Sequence, residues 1–167
     1  MMSIFEPYAD VEFADEFFTL YLGDDGTDDW SELCDTAKAA LLVRATFSID
    51  LLDNIKRGYR GERTHPAQLL AFPRNGDTFV PEKVKMACAL EALALADEES
   101  TERRGLRRQG ISGMSVGNVT ENYMRFGLFD NNARSRAQAD FSESLASHEA
   151  FGLMLEFLDV SGVHRIL

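Results

Sequence analysis

A chain of 167 residues suffices for one domain with a sizeable core, since domains of this size bury roughly 70% of their unfolded surface. A hydrophobic fraction of 45% excludes a disordered chain, and no apolar run approaches the ~20 residues that cross a bilayer. No secretory signal is expected, because the first ten residues hold no basic residue and no long apolar stretch.

The net charge of −11 is concentrated in the first fifth of the chain. Residues 1–35 contain acidic side chains and no Lys or Arg, and the acidic and basic residues of the remainder balance. Such a segment repels a phosphate backbone and attracts a basic partner. A solvated acidic face, a charged subunit contact and a channel lining remain open as interpretations.

The first two predicted elements are helices. Asp10 can cap a helix from about Val11 to Leu22, which Gly23 then ends. After a polar, acidic loop, residues on one face at spacings of three and four predict a long helix from about Ser31 to Arg57. The two cysteines, Cys34 and Cys88, both lie in helix-like sequence, and we expect two buried, reduced thiols.

The third predicted helix follows an irregular stretch at residues 59–80, which is rich in Gly and Pro. Pro81 can occupy the first turn of this helix, which runs to about Ala96. Its side chains are apolar almost all round, so it must be buried on several sides. We therefore predict that it is the central helix of the fold.

The remaining chain changes from alternating to helical periodicity. Gly117-Asn118 between two alternating runs is a hairpin signal, and helical spacing returns from Ala133 to Leu158, with a break near Ser147. The predicted fold is mainly α, a compact bundle of four to five helices around the central apolar helix, with one small β-hairpin. Residues 1–158 form a single domain with the hairpin near 111–124, and residues 159–167 form a C-terminal tail.

The sequence gives little support to catalysis. Residues 113–117 fit the G-x-S-x-G pattern of hydrolases, and Asp140 and His148 follow Ser115 in the order of a triad. The serine, however, lies beside a hairpin signal, and too little chain remains for the large sheet that a nucleophile elbow requires. The histidines have no metal-ligand spacing. We expect no enzymatic activity, no cofactor and no metal.

One basic cluster and one apolar tail are candidate contact sites. The cluster could be solvated charge, a protein–protein contact or a nucleic-acid contact, although it has no interleaved aromatic residues for base stacking. Apolar residues in a tail often meet a partner. The cluster comprises Arg103, Arg104, Arg107 and Arg108, and the tail residues are Val163, Ile166 and Leu167.

Two motifs carry a resemblance to a known family. Residues 68–87 read Q-x-L-x-F-P-R and then V-P-x-x-V-K-x-A, and residues 45–50 read A-T-x-x-I-D. With Trp30 and the segment that ends at Tyr123, they resemble a phage family often labelled DnaT-like single-stranded-DNA-binding protein. The resemblance spans roughly Phe5 to Tyr123. The element at residues 55–63 departs from the family pattern by extra residues, and the C-terminal helix region matches less well.

Members of this family resemble head–tail adaptors, which are helical subunits of a twelve-fold ring under the portal. The resemblance implies a structural subunit in the virion neck, assembled in the host cytoplasm. Its partners would be the portal protein, a tail-terminator or second neck protein, further copies of itself, and passing double-stranded DNA without sequence-specific contact, with no membrane. The alternative is a single-stranded-DNA-binding protein of the replication type.

The adaptor interpretation assigns roles to the candidate residues. The basic cluster and the apolar tail would contact a neighbouring subunit or the portal. In the loop before the central helix, Phe72, Pro73 and Arg74 would be structural. Pro73 fixes the backbone φ angle, Phe72 docks on the central helix, and Arg74 bonds to backbone or carboxylate groups.

Overall fold

The computed structural model describes residues 6–23, 28–54, 58–97, 113–116, 119–122 and 145–159. These residues are mainly helical, as the sequence predicts. The elements are α1 (Val11–Tyr21), α2 (Asp28–Ser31), α3 (Asp35–Leu51, extended by a 3-10 turn at Leu52–Asn54), α4 (Glu82–Ala96), β1 (Gly113–Val116), β2 (Val119–Asn122) and α5 (His148–Met154). No helix within these ranges is both long and apolar enough to span a bilayer.

Helix α1 begins at its predicted cap. The Asp10 carboxylate accepts a hydrogen bond from the Phe13 N–H at 2.8 Å, which satisfies one of the free donors at the helix start. Gly23, just beyond the helix, has φ of +67°, a left-handed conformation that glycine adopts without strain. Phe18 is buried against Trp30 with ring centroids 5.2 Å apart, so α1 is held on the segment that precedes α3.

The single helix predicted from Ser31 is wrong at its start. Helix α2 ends at Ser31, and α3 begins at Asp35 with Cys34 as its N-terminal flanking residue. The break places Trp30 in the core, where its indole N–H donates to the Asp15 carboxylate at 2.7 Å. Burial of this ring by a distant helix is a tertiary effect that helical periodicity does not contain. Residues 55–57, at the predicted helix end, lie outside the described residues.

The break also overturns the expectation of two buried thiols. Both cysteines are free, as expected, but Cys34 is exposed and Cys88 is buried. Cys34 is exposed because it flanks a helix start at the surface. Cys88 lies 3.4 Å from the Thr46 hydroxyl, and burial raises the pKa of its thiol to about 11.

Helix α4 packs against α1, α2, α3 and α5. It begins one residue after Pro81 and ends at Ala96, close to the predicted bounds. Its contacts with α3 and α5 are the most extensive between helices in the described part. Eight of its fifteen residues are buried: Val84, Ala87, Cys88, Ala89, Leu90, Glu91, Ala92 and Leu95.

A buried carboxylate joins α4 to α5. Glu91 is 0% exposed, and its oxygens accept hydrogen bonds from the N–H groups of Ala146 and Ser147, each at 2.8 Å. The Ser147 hydroxyl accepts from the Ala150 N–H at 3.1 Å and caps α5. Negative charge is favourable at a helix N-terminus, so Glu91 fixes where α5 starts. This start lies at the break predicted near Ser147, and residues 133–144 of the predicted helix lie outside the described residues.

The two described strands pair antiparallel, with Gly113 opposite Asn122 and Val116 opposite Val119. Gly117 and Asn118, the predicted turn, lie outside the described residues, as does Asp140. Ser115 pairs with Thr120 inside this ladder, whereas a nucleophile elbow requires a strand that turns into a helix.

We expect Glu91→Ala to lower the free energy of unfolding by about 3 kcal/mol, because two partly buried N–H groups lose their charged acceptor. Ser147→Ala removes only the cap and should cost about 1 kcal/mol. Urea unfolding, followed by circular dichroism, measures both changes. Equal costs for the two variants would contradict the role assigned to Glu91.

The two thiols should react at very different rates with a thiol-specific reagent at pH 8. Cys34 is exposed and should react at once, whereas Cys88 is buried and its thiolate is scarce below its raised pKa of about 11. One thiol per chain should react in the native protein, and the second should react only after denaturation. Cys34→Ser should abolish the native signal, and a residual native signal in that variant would contradict the burial of Cys88.

Candidate functional site

The two family-like motifs meet in space. Asp50, the last residue of A-T-x-x-I-D, accepts a hydrogen bond from the Ala71 N–H at 2.6 Å and another from the Tyr8 hydroxyl. The same Tyr8 hydroxyl accepts from the Phe72 N–H at 3.2 Å. Asp50 therefore joins the segment before α1 to the F-P-R turn, and we call this group of contacts the motif junction.

Other residues of α3 complete the motif junction. The Thr46 hydroxyl accepts from the Tyr8 N–H at 3.0 Å and donates to the Leu42 carbonyl at 2.9 Å. The Ile49 carbonyl accepts from the Tyr59 hydroxyl at 2.8 Å. Burial, above all, raises the pKa of both tyrosines, with Asp50 adding to the effect. Both phenols therefore stay protonated and act as hydrogen-bond donors.

Phe72 lies at the centre of an aromatic cluster. It is 4% exposed, and its ring meets those of Tyr59, Phe157 and Tyr8 edge-on, with centroids 4.8, 5.3 and 5.8 Å away. Such edge-to-face pairs stabilise a core beyond the area that they bury. These rings belong to the segment before α1, the 58–80 loop and the turn after α5, and docking of Phe72 on the central helix stays a prediction.

Arg74, for which the sequence predicts bonds to backbone or carboxylate, is 7% exposed and uses its whole guanidinium inside the loop. Four carbonyls accept its hydrogen bonds at 2.6–3.2 Å: those of Tyr59, Arg60, Gly61 and Ala71. The planar fork of an arginine can reach several acceptors at once, which an ammonium cannot. The Arg74 side chain therefore joins the two sides of the loop, residues 59–61 and residue 71.

Asp53 balances the charge of this buried arginine. Its carboxylate lies 3.5 Å from the Arg74 guanidinium, accepts from Arg63 at 3.1 Å and accepts from the Tyr59 N–H at 3.0 Å. Close packing extends to the backbone, since a Cβ atom at Gly61 would stand 1.8 Å from the Asn75 side-chain oxygen. Gly61 also has φ of +74°, so this turn requires glycine.

The polar groups of the motif junction are bonded within the fold. Every buried side-chain nitrogen or oxygen in the described part has a hydrogen-bond partner. Such a satisfied network stabilises one conformation and leaves few groups to bind a ligand. The sequence did not reveal the contribution of Tyr8 or Tyr59, because their partners lie 42 and 10 residues away along the chain. Asp50 could have been identified from the sequence, because it lies beside the buried face of α3.

The outer surface has a second feature, a concave region of about 730 Å³ along α1, which we call the α1 groove. Its lining mixes apolar and acidic side chains, and it contains no basic residue. The lining residues are Val11, Glu12, Asp15, Glu16, Thr19, Leu20 and Asp35.

Large apolar side chains are exposed at several places on the described surface. Leu20 is 87% exposed and Phe79 is 80% exposed. The full set is Leu20, Tyr21, Phe47, Leu51, Leu69 and Phe79.

The predicted contact residues outside the loop cannot be placed. Arg103, Arg104, Arg107 and Arg108 lie outside the described residues, and so do Val163, Ile166 and Leu167. The structure therefore brings together only the loop residues Phe72, Pro73 and Arg74 among the predicted sites.

Comparison with known proteins gives one finding. A family model described as "Putative DnaT-like ssDNA binding protein" matches residues 3–152. No curated protein and no solved structure matches the chain.

We expect Arg74→Lys to lower the free energy of unfolding by about 3 kcal/mol, since an ammonium cannot reach the four carbonyls that the guanidinium binds. Arg60→Lys makes the same chemical change at an exposed side chain and should alter stability by about 0.5 kcal/mol or less. Thermal and urea unfolding compare the two. An Arg74→Lys variant as stable as the wild type would mean that the positive charge alone holds the loop.

Proposed function

The chain belongs to this DnaT-like family, and from that premise we propose that it is a structural subunit of a phage head–tail adaptor ring. The ring joins the portal to the tail or neck and lines the DNA channel. The proposal includes no catalytic step, no cofactor and no membrane contact.

The exposure of several large apolar side chains, in a protein whose motif junction is bonded internally, is the observation that carries the proposal. Leu20, Leu69 and Phe79 are each at least 66% exposed. Exposed apolar surface is typical of a protein that buries it against a partner. A ring subunit needs two complementary lateral faces, so such a surface suits repeated contact between copies.

The charge of the described surface also supports the proposal. Helix α1 contains no basic residue, and Glu12 and Glu16 on it are exposed. An acidic channel lining lets DNA slide because it repels the phosphate backbone. Several cations are instead engaged within the fold, since Lys38 binds Asp15 at 3.0 Å and Lys83 binds Glu156 at 2.5 Å.

The proposed subunit is a compact bundle of four to five helices around α4, with a small hairpin near residues 111–124. The packing of α4 against four other helices supports the first part, and the pairing of β1 with β2 supports the second. We propose residues 1–158 as the single domain and residues 159–167 as a tail that faces the portal.

The partners follow from the neck location. They are the portal protein, a tail-terminator or second neck protein, and further copies of the chain in a twelve-fold ring around passing double-stranded DNA. Assembly takes place in the host cytoplasm, and the product is the virion neck.

Single-stranded-DNA binding is the second candidate, and two observations favour it. The family description names this activity. On the outer face of α3, Phe47 lies three residues after the exposed Arg44, so a cation and an aromatic ring share one helical face. In proteins that bind single-stranded nucleic acid, bases stack on aromatic rings and cationic side chains bind the phosphates.

Purified protein mixed with the portal of the same phage should form rings on the portal, visible by negative-stain imaging. Deletion of residues 161–167 should abolish docking while circular dichroism shows a folded subunit. A full-length variant with Val163→Ser, Ile166→Ser and Leu167→Ser is the matched control for chain length. It should also fail to dock if the apolar side chains make the contact.

The rival function predicts a different result. A gel-shift titration with single-stranded DNA at moderate salt should give no complex, and Arg44→Glu should change nothing. Salt-sensitive binding that Arg44→Glu or Phe47→Ala abolishes, together with no ring on the portal, would replace the adaptor by a DNA-binding protein.

A further inference from the structure

The α1 groove has an apolar side chain at each end. Leu20 is 87% exposed, and the adjoining Tyr21 is 51% exposed. Val11, at the other end of the groove, is half-buried. Apolar surface in a concave site gains free energy when a partner covers it. The groove is therefore concave and has apolar surface that a partner protein can cover.

The rim of the groove is acidic, and part of it is uncommitted. Asp15 is engaged, since it accepts hydrogen bonds from Trp30 and Lys38. Glu12, Glu16 and Asp35 are exposed, and none forms an ion pair with a described residue. A partner must therefore combine positive charge opposite these carboxylates with an apolar side chain opposite Leu20.

We propose that the α1 groove binds residues 103–108 of a second copy of this chain. This segment reads Arg-Arg-Gly-Leu-Arg-Arg, in which Leu106 stands between two arginine pairs. Leu106 covers the side chain of Leu20, and the arginines bind the carboxylates of the rim. Arginine binds carboxylates through two parallel hydrogen bonds, which fixes orientation as well as charge.

The dimensions agree with this occupant. The helix from Val11 to Leu20 is about 14 Å long at a rise of 1.5 Å per residue. Six residues can span at most about 20 Å, so the segment is long enough to reach the carboxylates of the rim while Leu106 covers Leu20.

The inference rests on the proposed function for the choice of a second copy. Groove and segment are different surfaces, so their contact is heterologous and leaves one groove and one segment free for the next copy. Repetition of that contact builds a ring, whereas docking within one chain would use up both surfaces.

Two charge-reversed variants test the contact. Glu12→Lys with Glu16→Lys and Asp35→Lys gives a basic groove, and replacement of Arg103, Arg104, Arg107 and Arg108 by Glu gives an acidic segment. In each variant the groove and the segment have like charges, so self-association at low ionic strength should weaken about tenfold or more. In an equal mixture each groove meets a segment of opposite charge, and association should return.

Native mass spectrometry of the mixture, with one variant isotopically labelled, identifies complexes that contain both. The control Glu6→Lys with Glu62→Lys and Asp77→Lys makes the same charge change as the groove variant at exposed positions outside the groove and should associate like the wild type. Raised salt should dissociate all of these complexes. Wild type that stays monomeric at low salt, or a mixture without mixed complexes, overturns the inference.

The portal assay separates this inference from the proposed function. If both variants, separately, form normal rings on the portal, the groove contact is wrong and the adaptor function stands. If wild type forms no ring on the portal while the mixed variants still associate, the adaptor function fails and the groove contact stands.

Discussion

The hydrogen bonds of Asp50 hold together parts of the chain that are far apart in sequence. One joins α3 to Tyr8 before α1, and the other joins α3 to Ala71 in the loop before α4. Because Tyr8 also accepts from Phe72, the three segments share one network. The aromatic cluster around Phe72 and the position of the Arg74 fork depend on this network, since both need the loop to lie on α3.

This use of the motifs limits what family membership says about ligands. Asp50, Phe72 and Arg74 belong to the motifs that carry the family resemblance, yet their polar groups and rings make internal contacts. A matching sequence therefore reports a common fold. Function must be sought on the surface around that fold, where apolar and acidic side chains are exposed.

Local signals in the sequence were sufficient for part of the fold. The Asp10 cap, the bounds of α4 and the α5 start near Ser147 follow from short-range chemistry, and the structure agrees with them. The start of α3 and the exposure of Cys34 were missed because burial of Trp30 against α1 decides both. At the site, the loop residues were found from the motif. Tyr8 and Tyr59 were not, because their partners are set by tertiary contacts.

Glu91 has a consequence for how this fold can vary. Its carboxylate receives the backbone of Ala146 and Ser147, so the location of α5 is set by a side chain of α4. This contact does not depend on how many residues connect residue 97 to residue 145. Loop closure becomes only slowly more costly as a connection lengthens. A longer or shorter connection would therefore leave the position of α5 on α4 unchanged.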